Sequence, residues 1–137
     1  MIRKIILLLI ISSISVLSFS QEILTENQKL ESLCKVWGFL KYYHPAVIKG
    51  KIDWDQQLVK FIPAVISAKD QQELSNLYLG WINSLGSISV CKKCQRTVIP
   101  DSLKRNLDMK WLENRNLFSD SLIAAFNVIR DNRGQHI

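Results

Sequence analysis

The chain has 137 residues, 47% of them hydrophobic and 22% charged, and carries a formal net charge of +6. That length suits one small domain with a modest core. The positive balance is scattered or paired with acids, with local concentrations only at Lys49/Lys51 and Lys92-Lys93, which excludes the basic stripe of a nucleic-acid footprint.

Residues 1–20 read as a signal peptide. Arg3 and Lys4 form a positive start, Ile5 to Ile11 are uninterrupted aliphatic residues, and Ser18-Phe19-Ser20 offers small residues where a signal peptidase reads them. Cleavage before Gln21 follows, and with Arg3 and Lys4 gone the net charge falls from +6 to +4. The apolar run is shorter than the roughly 20 residues of a membrane span. No cysteine stands at the cleavage point, so no lipid anchor is expected. The mature part, residues 21–137, is then exported to the periplasm or beyond the cell, and meets the membrane only through the segment it loses.

In the mature chain, Thr25 with Gln28 forms a capping box and opens a helix. Leu30, Leu33, Cys34, Trp37 and Leu40 follow as an apolar stripe, flanked by Val36, Phe39 and Tyr43. His44-Pro45 stops it, since the residue before proline is forced out of the helical region. After a Lys49-Gly50-Lys51 loop, Asp53 and Gln56 offer a second capping box. Trp54, Leu58, Phe61, Ile62, Val65 and Ile66 share one face, and Pro63 is expected to kink this helix or end it early. Asp70 with Glu73 caps a third helix, striped by Leu74, Leu77, Tyr78, Trp81, Ile82 and Leu85 and stopped by Gly86. Ser87 to Asp108 reads as an irregular connector. Asp108 caps a short turn through Trp111 and Leu112, and a last helix, roughly Asp120 to Asp131, presents Leu122, Ile123, Phe126 and Ile129. The expected fold is all-α: a small bundle of about four to five helices with an irregular, cysteine-containing connector.

The candidate chemistry is sparse. Cys91-Lys-Lys-Cys94 has the spacing of half a zinc site, but a structural site wants four ligands, and His44 and His136 are distant singles. In an exported chain a disulfide between Cys91 and Cys94 competes with free thiols and with metal. Cys34 is the odd third cysteine, expected as a small hydrophobe on the first helix. Ser32/Lys35 and Ser89/Lys92 match Ser-x-x-Lys, yet a lysine base must be desolvated beside its nucleophile, and both lysines lie among polar neighbours. Asp53 and Asp55 are explained by helix capping and dipole compensation. Trp37, Trp54 and Trp81 sit on apolar stripes and read as an aromatic core joining three helices. Tyr42, off the stripe, with Tyr43 and His44 beside it, is the candidate contact surface. No cofactor and no catalytic residue is expected.

One further reading comes from an ordered series of aromatic and polar positions: Leu33 to Tyr43, His44-Pro45, Ile52-Asp53-Trp54-Asp55 and Trp81-Ile82-Asn83-Ser84-Leu85-Gly86. This series resembles the N-terminal helical region of exported bacterial tail-specific (C-terminal processing) serine peptidases, in particular the long Bacteroidetes-type forms. The resemblance implies a helical region ahead of a catalytic core in which a serine nucleophile works with a lysine base on protein C-termini. No position here matches that serine or lysine. The chain is therefore expected to be inactive alone, a fragment whose partner is the missing protease core or a protein or peptide substrate. The alternative is a stand-alone exported helical binding or structural module.

Overall fold

The computed structural model describes residues 23–88 and 108–132. The expected signal peptide, Cys91, Cys94, Ser89, Lys92 and most of the connector expected around them lie outside the described residues. Within these limits the chain is all-helical, as the sequence predicts. Five α-helices appear in chain order: α1 (Glu26–Tyr43), α2 (Pro45–Ile48), α3 (Trp54–Ser67), α4 (Gln71–Ser84) and α5 (Asp120–Asp131). A single 3₁₀ turn, Lys110–Glu113, precedes α5.

Local chemistry sets the helix starts. At α1 the capping box forms in both directions, the Thr25 side chain accepting from Gln28 N and the Gln28 side chain from Thr25 N. At α3 only half of the expected box forms: Asp53 accepts from Gln56 N at 3.0 Å. At α4 Asp70 accepts from Glu73 N, while the Glu73 carboxylate turns back to Lys69 N. Ser119, one residue before the predicted start, caps α5 by accepting from Leu122 N. Gly86 takes φ +93 just past α4, a left-handed stop that only glycine adopts without strain. Pro63 does not end α3, which runs on to Ser67. The carbonyl deprived of a donor belongs to Val59, on a turn that faces solvent, where water can take the place of the missing N–H.

α1 and α3 run antiparallel. Lys29 Nζ donates to the Ile66 carbonyl at the end of α3, and Lys41 pairs with Asp55 at its start. Between these clips the two tryptophans exchange bonds, Trp37 Nε1 to the Trp54 carbonyl and Trp54 Nε1 to the Trp37 carbonyl, each 3.0 Å. Trp54 in turn stacks on Trp81 of α4 at 4.9 Å, and Phe61 closes the other side of Trp81 at 4.0 Å. This is the expected aromatic core of three helices, with Trp54 and Trp81 buried and Trp37 half-buried.

A second aromatic centre joins α1 to the C-terminal part. Phe39, Trp111, Phe118 and Phe126 meet edge to face, at centroid separations from 5.4 to 6.2 Å. The turn carrying Phe118 is tied to α4 by Gln71 Nε2, which donates to the Phe118 carbonyl, and by Ser75 Oγ, which accepts from Ser119 N.

The buried face of α1 differs from the predicted stripe. Ser32, Leu33, Val36, Phe39 and Leu40 are buried, whereas Cys34 is exposed. Leu33, Val36, Phe39 and Leu40 belong to the predicted stripe and its flank; Ser32 joins them and Cys34 leaves. The second aromatic centre holds Phe39 inward, and Cys34 is left at the margin rather than in the core.

Candidate functional site

His44 is the hinge of the α1–α2 corner. Its N–H donates to the Leu40 carbonyl, closing α1, and its Nδ1 accepts from Ala46 N at 3.3 Å, opening α2. The backbone is extended there (φ -84, ψ 121), as a residue before proline must be. The ring is 2% exposed, so His44 is not part of a contact surface. Proline fixes the extended conformation, and the one-turn helix α2, absent from the sequence reading, follows at once, its Ala46 N–H bonded to the ring. Because Nδ1 accepts, the proton of the neutral ring sits on Nε2, which is buried with no partner among the described residues. No lone pair remains for a general base.

Burial holds His44 below the ordinary histidine pKa of about 6.5. The unfolded chain therefore gains a proton in a range where the folded chain stays neutral. The stabilisation by neutral His44 is complete above about pH 6.5 and is lost as pH falls from there through the lowered folded value. Denaturation midpoints of the wild type and of His44→Asn, which keeps a capping side chain, should converge as pH drops from about 7 to about 5. A constant gap between the two proteins over that range would show that His44 does not carry the effect.

The other two members of the predicted surface fare differently. Tyr42 is 72% exposed. Tyr43 is half-buried and stacks on Phe39 at 4.9 Å. Both line an open groove of about 410 Å³ between α1 and residues 108–111, together with Gly38 and the apolar Phe39, Met109 and Trp111. A Cβ added at Gly38 would meet nothing within 4 Å, so packing within the fold does not require a glycine there. Exposed Cys34 also borders this groove.

Neither Ser32 nor Lys35 is placed for nucleophilic chemistry. Ser32 Oγ is buried, bonded to Tyr78 Oη at 2.7 Å and donating to the Lys29 carbonyl at 2.7 Å. Lys35 points to solvent and pairs with Glu31. Burial raises the Tyr78 phenol well above its ordinary range, with the Ser32 bond acting the other way, so the pair is a neutral, satisfied polar contact in the core. Asp53 caps α3 and Asp55 meets Lys41; the two carboxylates do not converge on a site. Among the described residues no group of three or more His, Cys, Asp or Glu side chains is placed to hold a metal ion. None of the described helices is long and apolar enough to cross a membrane.

No family model, curated protein or solved structure matches this chain.

Proposed function

We propose that the chain is a non-catalytic, exported helical domain of the kind that precedes the core of tail-specific serine peptidases, where it positions substrate or packs on the protease core. One observation supports this reading above others. The scattered positions that carry the resemblance belong to a single unit: Trp37 of α1 bonds reciprocally to Trp54, and Trp54 stacks on Trp81, near the end of α4. Three separated sequence blocks thus depend on each other physically, which fits an inherited module better than coincidence. The exposed Tyr42 beside an aromatic groove supplies a contact surface of large area and low ordering cost.

The test pairs the full chain with a separately made catalytic core of a tail-specific peptidase. The chain alone should not hydrolyse a denatured protein or a peptide with an apolar C-terminus. Added to the core, it should bind it or change its KM, and Tyr42→Ala should weaken that effect. Turnover by the chain alone would overturn the reading. Absence of any effect on the core would favour the stand-alone exported module.

A further inference from the structure

Residues 44–53 lead from α1 to α3, and few side chains hold them to the bundle. His44 and Val47 alone are buried in this span, and Ile52 is half-buried. The backbone bonds of the span are local: Val47 and Ile48 N–H donate to the His44 carbonyl, and Gly50 N–H donates to Val47. Among the described residues no hydrogen bond or ion pair ties residues 45–52 to another helix.

The ends of the span are fixed without it. Trp37 and Trp54 exchange indole-to-carbonyl bonds, Lys41 pairs with Asp55, and Trp54 stacks on Trp81. These contacts keep α1 and α3 together when the span between them lets go, which is the condition for local rather than global opening.

The His44 ring fits its site only while neutral. Nδ1 accepts from Ala46 N at 3.3 Å, and Nε2 is buried without a partner. A second proton turns Nδ1 into a donor that faces the Ala46 N–H. The result is a buried cation with an acceptor at neither nitrogen, a state that water relieves once the ring leaves its site.

No carboxylate compensates for that charge. On α1, against which α2 packs, Glu26 is exposed, Lys29 bonds to the Ile66 carbonyl, Glu31 meets Lys35, and Lys41 meets Asp55 of α3. Lys49, Lys51 and Asp53 in the span itself and Lys60 of α3 are exposed. In the C-terminal part, Glu113 and Asp131 meet Arg130, and Asp120 meets Arg115. Burial is the one cause that shifts the titration of His44, so none of these groups faces the ring closely enough to act on it.

We infer that residues 44–53 are an acid-triggered release: protonation of His44 frees this span from the bundle while the Trp37–Trp54–Trp81 junction stays closed. Acid thus exposes Val47 and leaves the core of α1, α3 and α4 intact. This assigns the pH sensitivity of the domain to one segment, and it is independent of the peptidase reading because it rests on the bonds and burial of the corner alone.

Amide hydrogen exchange of the full chain, measured by NMR from pH 7.5 to pH 5 and corrected for intrinsic exchange rates, tests it. His44 is the single histidine among the described residues. Protection at Ala46, Ile48 and Gly50 should fall by about tenfold per pH unit below about pH 6.5, the slope of one proton taken up on opening. The indole N–H groups of Trp37 and Trp54 should keep their protection over the same range. His44→Asn, which keeps a capping acceptor and cannot titrate, should abolish the slope at Ala46. Val47→Ala should lower protection of the span at every pH and keep the slope. Protection at Ala46 that does not vary with pH in the wild type would overturn the proposal, as would a slope that survives His44→Asn. Loss of the indole protection in the same step would overturn it too, because the opening would then be global.

Discussion

Trp54→Ala is expected to destabilise the domain by about 3–5 kcal/mol, the range for truncating a buried aromatic residue. A chain of this size has roughly 5–10 kcal/mol to lose, so the change would remove a large share of the folding free energy. Two things go together in this variant. The ring that stacks on Trp81 disappears, and so does the indole donor to the Trp37 carbonyl. Trp54→Phe separates them: it keeps an aromatic face against Trp81 but leaves the Trp37 carbonyl without its bond, costing about 1–2 kcal/mol for that bond and a little more for the smaller ring. The reciprocal bond, Trp37 Nε1 to the Trp54 carbonyl, goes to backbone and survives both changes. Urea denaturation followed by near-UV circular dichroism measures both variants. If Trp54→Ala costs no more than Trp54→Phe, the stack contributes nothing beyond the hydrogen bond, and the account of the α1–α3–α4 junction given above is wrong.

The same junction shows how far the sequence could be read. Helix starts were legible because a cap is a local event: Thr25 and Gln28, or Asp70 and Glu73, are three residues apart and need no tertiary contact to find each other. The tryptophans were legible as core because they sit on apolar stripes. What escaped was settled by partners distant in sequence. Ser32 is a small polar residue on a mixed face, and only Tyr78, 46 positions away, makes it a core residue. Phe118 sits in a turn with no periodicity, yet it is 1% exposed because Gln71 and Ser75 hold the backbone around it against α4. Trp111 and Phe126 hold Phe39 in the core, and Cys34 lies outside it.

For the candidate site the outcome was divided in the same way. Tyr42 was legible as exposed because it falls opposite the stripe, and its fractional exposure of 72% follows from that angle. His44 was legible as a helix stop but not as a buried ring. The stop depends on Pro45 alone, whereas burial is a tertiary outcome, and α2, a helix of four residues, is too short to leave a periodic signal. The groove beside Tyr42 had no sequence signature at all. Gly38 is the nearest to one: it interrupts a helix that the rest of its segment supports, and backbone conformation does not require it.

Phe126→Ala should cost about 3–5 kcal/mol as well, and its consequence differs from that of Trp54→Ala. Phe126 is 0% exposed and is ringed by Phe39, Trp111 and Phe118 at 5.6, 5.9 and 5.4 Å. It therefore joins α5 to α1 and to the 3₁₀ turn, whereas the positions carrying the peptidase resemblance all lie between residues 33 and 86. If the resembling part were an autonomous unit, truncating Phe126 would release α5 and leave the Trp54–Trp81 stack in place. The packing argues otherwise. Phe39 contacts Phe126 and Tyr43 alike, Tyr78 contacts both Ser32 and Phe118, and Ser75 of α4 holds the start of α5. These shared residues leave no plane along which α5 could separate without exposing the core of α1 and α4. The expected result is a single transition in which amide protection in α5 and the near-UV signal of the tryptophans are lost together. Phe126→Leu, which keeps most of the volume, should lose less than about 1.5 kcal/mol and retain the same single transition. Hydrogen exchange across a denaturant series gives the answer directly. Amides of α5 opening well before those of α1 and α4 would mean that the domain is the four-helix part, with α5 an appendage to it.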